Sequence, residues 1–285
     1  MNCFLNSSDL SFTGKNNKHR ELRGGRIFIS DVHLGAFNDQ QNRRIEEDLI
    51  QLVSFCENNG LQITLLGDIF DYWMEYSGHP PPVGSHILPY FRKFHERTGS
   101  HTLFVTGNHD NWTDGYLPSL GFDLEHEYRI IREANMSIMV LHGDGLSDPK
   151  MNLPRPILHR LLRNSYFVYL YKSLLPRRLG WHLMKTYSGL SRMNQNSDQM
   201  AKQRNKLDTW AMDKVESDPR LQAIIYGHHH KARLLRHGEN VCVNCGFFGR
   251  DRTAALYTNG ELELVKWEAG TYELQTVNTE ESFQK

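Results

Sequence analysis

Five short β-rich runs, each ending in a cluster of Asp, Asn or His, constrain this chain more than any other feature. RIFIS (26–30) runs into Asp31-Val32-His33, and LQITLL (61–66) into Gly67-Asp68. HTLFVT (101–106) runs into Gly107-Asn108-His109-Asp110, and SIMVL (137–141) into His142-Gly143-Asp144. QAIIY (222–226) runs into Gly227-His228-His229-His230. Between the first runs lie helical stretches. NRRIEEDLIQLVSFCENNG places Ile45, Leu49, Leu52, Val53 and Cys56 at helical spacing. Strand, loop and helix in alternation predict an α/β sandwich. After Cys245, TAALYTNGELELVKWE reads as a hairpin turning at Asn259-Gly260.

All five polar clusters fall at the carboxyl ends of strands, where open α/β sheets bind ligands. Asp, Asn and His supply the oxygen and imidazole donors that divalent metals take. Alone, each cluster has a plainer reading. A D-x-H triplet can be a solvated turn, a G-N-H-D tetrapeptide a turn built on αL backbone, and a lone His a hydrogen-bonded loop residue. Five such clusters, all at strand ends, predict one dinuclear metal site.

With these motifs the chain resembles the calcineurin-like metallophosphoesterases, over about Arg26 to Trp267. The resemblance implies a four-layer α/β/β/α sandwich and two divalent metal ions, manganese by the same likeness. It implies that Asp31, His33, Asp68 and His230 hold one ion. Asp68, Asn108, His142 and His228 hold the other, so Asp68 bridges. In an extended segment alternate residues share a face. His228 and His230 are therefore expected to face the metals together, with His229, a departure from the small residue usual there, pointing away. His109, outside the implied ligand set, is the expected proton or hydrogen-bond donor to the phosphoryl or leaving group. Asp110 and Asp71 are expected to orient histidines, the alternative being simple turn capping. Two ions in such a site activate water and neutralise charge on the phosphoryl oxygens.

Composition narrows the class. Lys and Arg number 33, as do Asp and Glu, so the whole chain carries no nucleic-acid signature. Fifteen histidines fit the metal reading. Cys242 and Cys245 have C-x-x-C spacing but no second pair, and are expected to be reduced, structural residues. The N-terminal stretch is polar and reads as a flexible arm over 1–25 rather than a secretory signal. No run of eighteen apolar residues occurs, so no membrane span is expected.

Residues 147–218 separate two ligand clusters and read as a helical lid insertion. The core is then 26–146 with 219–270, followed by a tail over 271–285. From Lys150 to Met193 the insertion holds nine basic residues and no Asp or Glu. Among them are Arg155, Arg160, Arg163, Arg177, Arg178 and Arg192, interleaved with Leu, Tyr, Phe and Trp. That mixture suits an anionic membrane surface. A packed cap with a solvated basic face, or a single-strand nucleic-acid groove, are the alternatives. ISDVHLG, LLGDIFDYW, GNHDNW, LHGDGLSD and the insertion together are similar to the UDP-2,3-diacylglucosamine hydrolases of lipid A biosynthesis. Those enzymes cleave the pyrophosphate of a lipid-linked nucleotide sugar to UMP and a lipid monophosphate, under a lid that covers acyl chains. The better-known members carry Arg where His109 stands. The resemblance implies substrate contacts at Asn108, His109, Arg192, Lys202 and His228. It also implies a cytoplasmic enzyme, peripheral on the inner face of the cytoplasmic membrane. A soluble nucleotide or phosphoprotein phosphoesterase is the alternative enzyme; a non-catalytic membrane-coat scaffold is the alternative outside enzymes.

Overall fold

The computed structural model describes residues 11–12, 22–134, 136–193, 197–278 and 280–282. Its strands, in chain order, are β1 Ser11–Phe12, β2 Arg26–Ile29, β3 Gln62–Leu66, β4 Thr102–Val105, β5 Phe122–Glu125, β6 Tyr128–Glu133 and β7 Met136–Leu141. They continue with β8 Ala223–Tyr226, β9 Arg233–His237, β10 Asn240–Asn244, β11 Thr253–Thr258, β12 Glu261–Glu268, β13 Glu273–Asn278 and β14 Glu280–Ser282. The longer helices are α1 Asp39–Asn59 and α2 Ile87–Thr98. The short α3 Tyr116–Ser119 follows, then α4 Ile157–Leu162, α5 Ser165–Leu174, α6 Arg177–Met193, α7 Ser197–Ser217 and α8 Phe248–Asp251.

The strands form two sheets. The first runs β1-β13-β12-β11-β2-β3-β4-β5, and the second β14-β9-β10-β8-β7-β6. Strands β2 to β5 are parallel, as are β7, β8 and β10. Side-chain alternation builds the layers. Ile27 and Ile29 of β2 face outward with α1 and α2, into a core that includes Leu49, Leu52, Phe91 and Phe94. Phe28 between them faces inward, meeting Val140, Ile225 and Val243 of the second sheet. The outer face of the second sheet, with Met139, Ile224 and Tyr226, packs on Leu207, Trp210, Ala211, Met212 and Val215 of α7. The order is helix, sheet, sheet, helix, a four-layer sandwich. Each fully buried Leu, Ile or Val in it contributes about 1.5–3 kcal/mol.

Local signals agree with the elements they start. Asn38 caps α1, its side chain accepting from Gln41 N at 2.9 Å. Asn259 and Gly260 both take positive φ, 53° and 83°, the primed turn that a tight β11–β12 hairpin needs. Cys242 faces α7 and Cys245 the space between the sheets, so the two thiols lie in different cores, both buried and free.

The segment read as an insertion divides in two. Helices α4 to α6 form a cap, in which Leu162, Phe167, Tyr171, Trp181 and Met184 pack on Met74 and Trp112. Helix α7 instead supplies the fourth layer, because its apolar side chains at 207, 210, 211 and 215 fall on one face. Two short strands outside the expected core also join the sheets. β1 pairs with β13, and β14 pairs with β9.

Candidate metal centre

The clusters after β2, β3, β4, β7 and β8 meet where the strands of both sheets end. Their loops are stitched to one another. Val32 N and His33 N donate to Asp68 O at 2.9 and 3.0 Å, Trp73 N to His109 O at 2.8 Å, and Gly227 N to His142 O at 2.9 Å. Glycines allow this approach. A Cβ at Gly107 would strike the Asp68 carboxylate, and one at Gly227 the Asp31 carboxylate.

Among the described residues, three groups of donor atoms have ligand atoms within 4.8 Å of one another: two built on the predicted ligands, Asp31, His33 and His230, and Asp68, His142 and His228, and a third, His33, Asp71 and His109, that shares His33 with the first. In the first, Nε2 of His230 stands 3.2 Å from Asp31 Oδ1 and 3.1 Å from His33 Nε2. In the second, Nε2 of His142 stands 3.3 Å from Asp68 Oδ2 and 3.3 Å from Asn108 Oδ1. Asp68 Oδ2 is also 3.8 Å from His33 Nε2, so this carboxylate lies between the groups. Asp31, His33, Asp68 and His142 are buried.

The backbone at these positions is unusual. Asp31, His33, Asp68, His228 and His230 all have φ between 51° and 74°. β8 ends at Tyr226, so the three histidines follow the strand rather than continue it. Two left-handed residues flanking His229, not strand alternation, bring His228 and His230 into the two donor groups. His229 joins neither; its ring packs 4.8 Å from that of His228.

The donor set fits divalent cations. Asp31 Oδ1 is buried without a hydrogen-bond partner, amid imidazole nitrogens that are themselves lone-pair donors. Burial pushes the His142 ring toward its neutral form, but Asp68 beside it wins and holds its pKa up at about 10. The Asp68 and Asp31 carboxylates that raise the imidazole pKa also favour a cation between them.

The remaining predicted residues divide. His109 Nδ1 stands 2.8 Å from Asp71 O, and its backbone N–H donates to Asp68 Oδ1 at 2.9 Å. Asp71 Oδ1 lies 3.4 Å from His33 Nδ1. Asp110 differs from the expectation. Its two oxygens accept from Gly107 N at 2.7 Å and Ile69 N at 2.8 Å, so it clamps two loops and orients no histidine. Burial, and then the charge of Asp68, push its carboxyl up to about 6. Lys202 is exposed on α7, and the side chain of Arg192 lies outside the described residues.

Three contributors were not among the predicted site residues. Ser188 of α6 is buried, with Oγ 3.2 Å from His109 Nδ1. Arg163 reaches from the cap to Asp144 and to the carbonyl of Gly107. His159 brings its ring within 6.3 Å of His228. All three come from the insertion, and only the folded cap brings them to the strand ends.

The chain matches the calcineurin-like phosphoesterase family over residues 26–232 and belongs to it. Among similar proteins is one named UDP-2,3-diacylglucosamine hydrolase from Porphyromonas gingivalis. It is 25% identical, over 73% of this chain and 84% of its own. A protein of the same name from Neisseria meningitidis is 23% identical, over 82% of this chain and 94% of its own. Among solved structures, the phosphoesterase Yfce from E. coli aligns over 90% of this chain and 98% of its own, with TM-score 0.43 and 13% identity.

Proposed function

We propose that the protein hydrolyses the pyrophosphate of UDP-2,3-diacylglucosamine, or a close lipid-linked nucleotide sugar, to UMP and a lipid monophosphate. A metal-dependent phosphoesterase site follows from family and donor set; the cap supports the lipid. Of the eleven large apolar side chains exposed among the described residues, nine lie between Ile157 and Leu183 on α4 to α6. Ile157, Tyr166 and Leu174 are 85%, 80% and 75% exposed. This concentration beside the donor groups carries the reading, because isolated exposed apolar residues are ordinary and a patch is not. Exposed Arg160, Arg177, Arg178 and Lys185 accompany it. Acyl chains and an anionic bilayer face fit such a surface. The nucleotide sugar and the inner face of the cytoplasmic membrane are the partners in this reading. No helix among the described residues is long and apolar enough to cross a membrane.

Two divalent ions, manganese in this reading, would supply an activated water and positive charge against the phosphoryl oxygens when bound to Asp31, His33, Asp68, Asn108, His142, His228 and His230. The chain's own part is positioning. With Nδ1–H of His109 given to the Asp71 carbonyl, Nε2 faces the donor groups, 3.9 Å from Asp68 Oδ2. That nitrogen donates to the leaving phosphate once the ring carries its second proton. Asn108 offers its amide to the phosphoryl group from the same loop.

The test is turnover of UDP-2,3-diacylglucosamine with Mn²⁺ beside turnover of bis(p-nitrophenyl) phosphate. Preference for the lipid nucleotide by a large factor in kcat/KM supports the reading. Turnover of soluble diesters alone would replace it with the soluble phosphoesterase.

A further inference from the structure

A cleft of about 410 Å³ opens beside the donor groups, between the loop after β2 and one face of α6. Its walls include Ala36 and Phe37 on one side and His182, Lys185 and Thr186 on the other, with Asp71 between them. The volume is that of a small-molecule site. Asp71 ties it to the centre, since the same carboxylate lies 3.4 Å from His33 Nδ1. The aromatic wall is continuous with the centre too. Phe37 packs 6.2 Å from Phe247, whose ring meets those of His33 at 5.5 Å and His230 at 4.6 Å.

Helix α6 has three faces, and their division is informative. Gly180, Trp181, Met184 and Ser188 turn inward, and two are tied down. Trp181 Nε1 donates to Met74 O at 2.9 Å, and Gly180 O accepts from Tyr171 Oη at 3.0 Å. Leu179 and Leu183, one turn apart, are exposed and extend the apolar surface of the cap. His182, Lys185 and Thr186, at helical spacing, line the cleft. The helix therefore separates a greasy surface from a cleft that carries Lys185 and His182 on one wall, Phe37 on the other and Asp71 between them, and both adjoin the same donor groups.

We infer that this cleft seats the nucleoside monophosphate half of the substrate, with the base against Phe37 and the phosphate side toward Lys185 and His182. The inference rests on the pyrophosphate reading, in which one arm of the substrate is apolar and the other a nucleotide. An aromatic face accepts any base by stacking, and an ammonium at the rim attracts the phosphate. Phe37 and Lys185 belong to no donor group and bond to none of the metal-ligating candidates, so they can be changed without touching the centre.

The test is calorimetric binding of UMP to the full chain, with inorganic phosphate as the second probe. The variants are Lys185→Glu, Phe37→Ala and Ala36→Trp, the last filling the cleft. Circular dichroism and turnover of bis(p-nitrophenyl) phosphate check each fold and centre. The expected result is a loss of UMP affinity of about tenfold in all three variants, with diester turnover retained in each and phosphate affinity retained in Phe37→Ala and Ala36→Trp, which leave the ammonium in place. Unchanged UMP affinity in all three variants, or no measurable UMP binding by the parent protein, would overturn the assignment. An equal loss for UMP and phosphate in Phe37→Ala and Ala36→Trp would overturn it as well, since the cleft would then recognise phosphate alone. Failure of the parent protein to cleave the lipid nucleotide, with UMP binding as expected, would sink the pyrophosphate reading and leave the cleft assigned.

Discussion

Arg163 and Asp144 join the cap to the core: Nη2 of the arginine stands 3.2 and 3.1 Å from the two carboxylate oxygens, both side chains nearly buried. The same nitrogen donates to the Gly107 carbonyl at 2.9 Å, one residue before Asn108. Breaking this buried pair from one side leaves Asp144 with the more distant Arg155, its Nε at 3.5 Å, in place of two guanidinium groups. Arg163→Ala should cost about 3 kcal/mol of stability, read as a lower urea midpoint at constant slope. Arg163→Lys should recover little, because an ammonium cannot reproduce the forked contacts. Full stability in the lysine variant would mean that charge alone matters there.

Asp68 lies between the two donor groups. Asp68→Ala should lose both ions and lower turnover by roughly a thousandfold, followed by metal analysis after dialysis and by diester hydrolysis. Gly107→Ala should do nearly as much, through a Cβ driven into the same carboxylate. Chelator treatment of the parent protein should match these losses and be reversed by Mn²⁺. Two ions retained in the Asp68→Ala protein would refute the shared-carboxylate geometry.

Adjacent histidines should differ sharply. His228→Ala and His230→Ala should each reduce turnover by about a hundredfold or more, while His229→Ala stays within about threefold of the parent. Equal losses at all three would show that His229 takes a part its position does not suggest.

The cap should sense lipid. Arg177→Glu with Arg178→Glu should weaken cosedimentation with phosphatidylglycerol vesicles roughly tenfold, and added salt should weaken the parent protein likewise. Tyr166→Ser with Leu174→Ser should lower binding with little dependence on salt. Small-diester turnover should persist in both. Vesicle binding unaffected by either pair would leave the cap as a packed structural element.

The sandwich and the donor residues were legible because strand-end chemistry is local. A short apolar run followed by Asp, Asn or His marks both a strand and a candidate ligand. The α1 face and the Asn259-Gly260 turn are likewise written in adjacent residues. What depends on distant packing was not legible. Helix α7 lies inside the stretch that reads as a lid, and only its docking on β8 and β10 reveals it as a layer of the core. Arg155 and Arg163 read as part of a basic face, yet both turn inward to Asp144 and neighbouring carbonyls. Asp110 looks like a partner for histidine, and its backbone bonds appear only when two loops meet.

The left-handed backbone at Asp31, His33, Asp68, His228 and His230 makes the donor loops a set of loaded springs. Each L-residue held there costs about 1–2 kcal/mol relative to ordinary backbone. The two sheets must hold that tension, so part of the thermodynamic reserve of the sandwich is committed to aiming five side chains. Glycine is the residue that this geometry would choose on backbone grounds alone. A glycine at any of the five should therefore give a protein that is inert but sturdier than the alanine variant at the same position. The gap between the two melting curves measures how much stability the chain forgoes to keep its chemistry pointed inward.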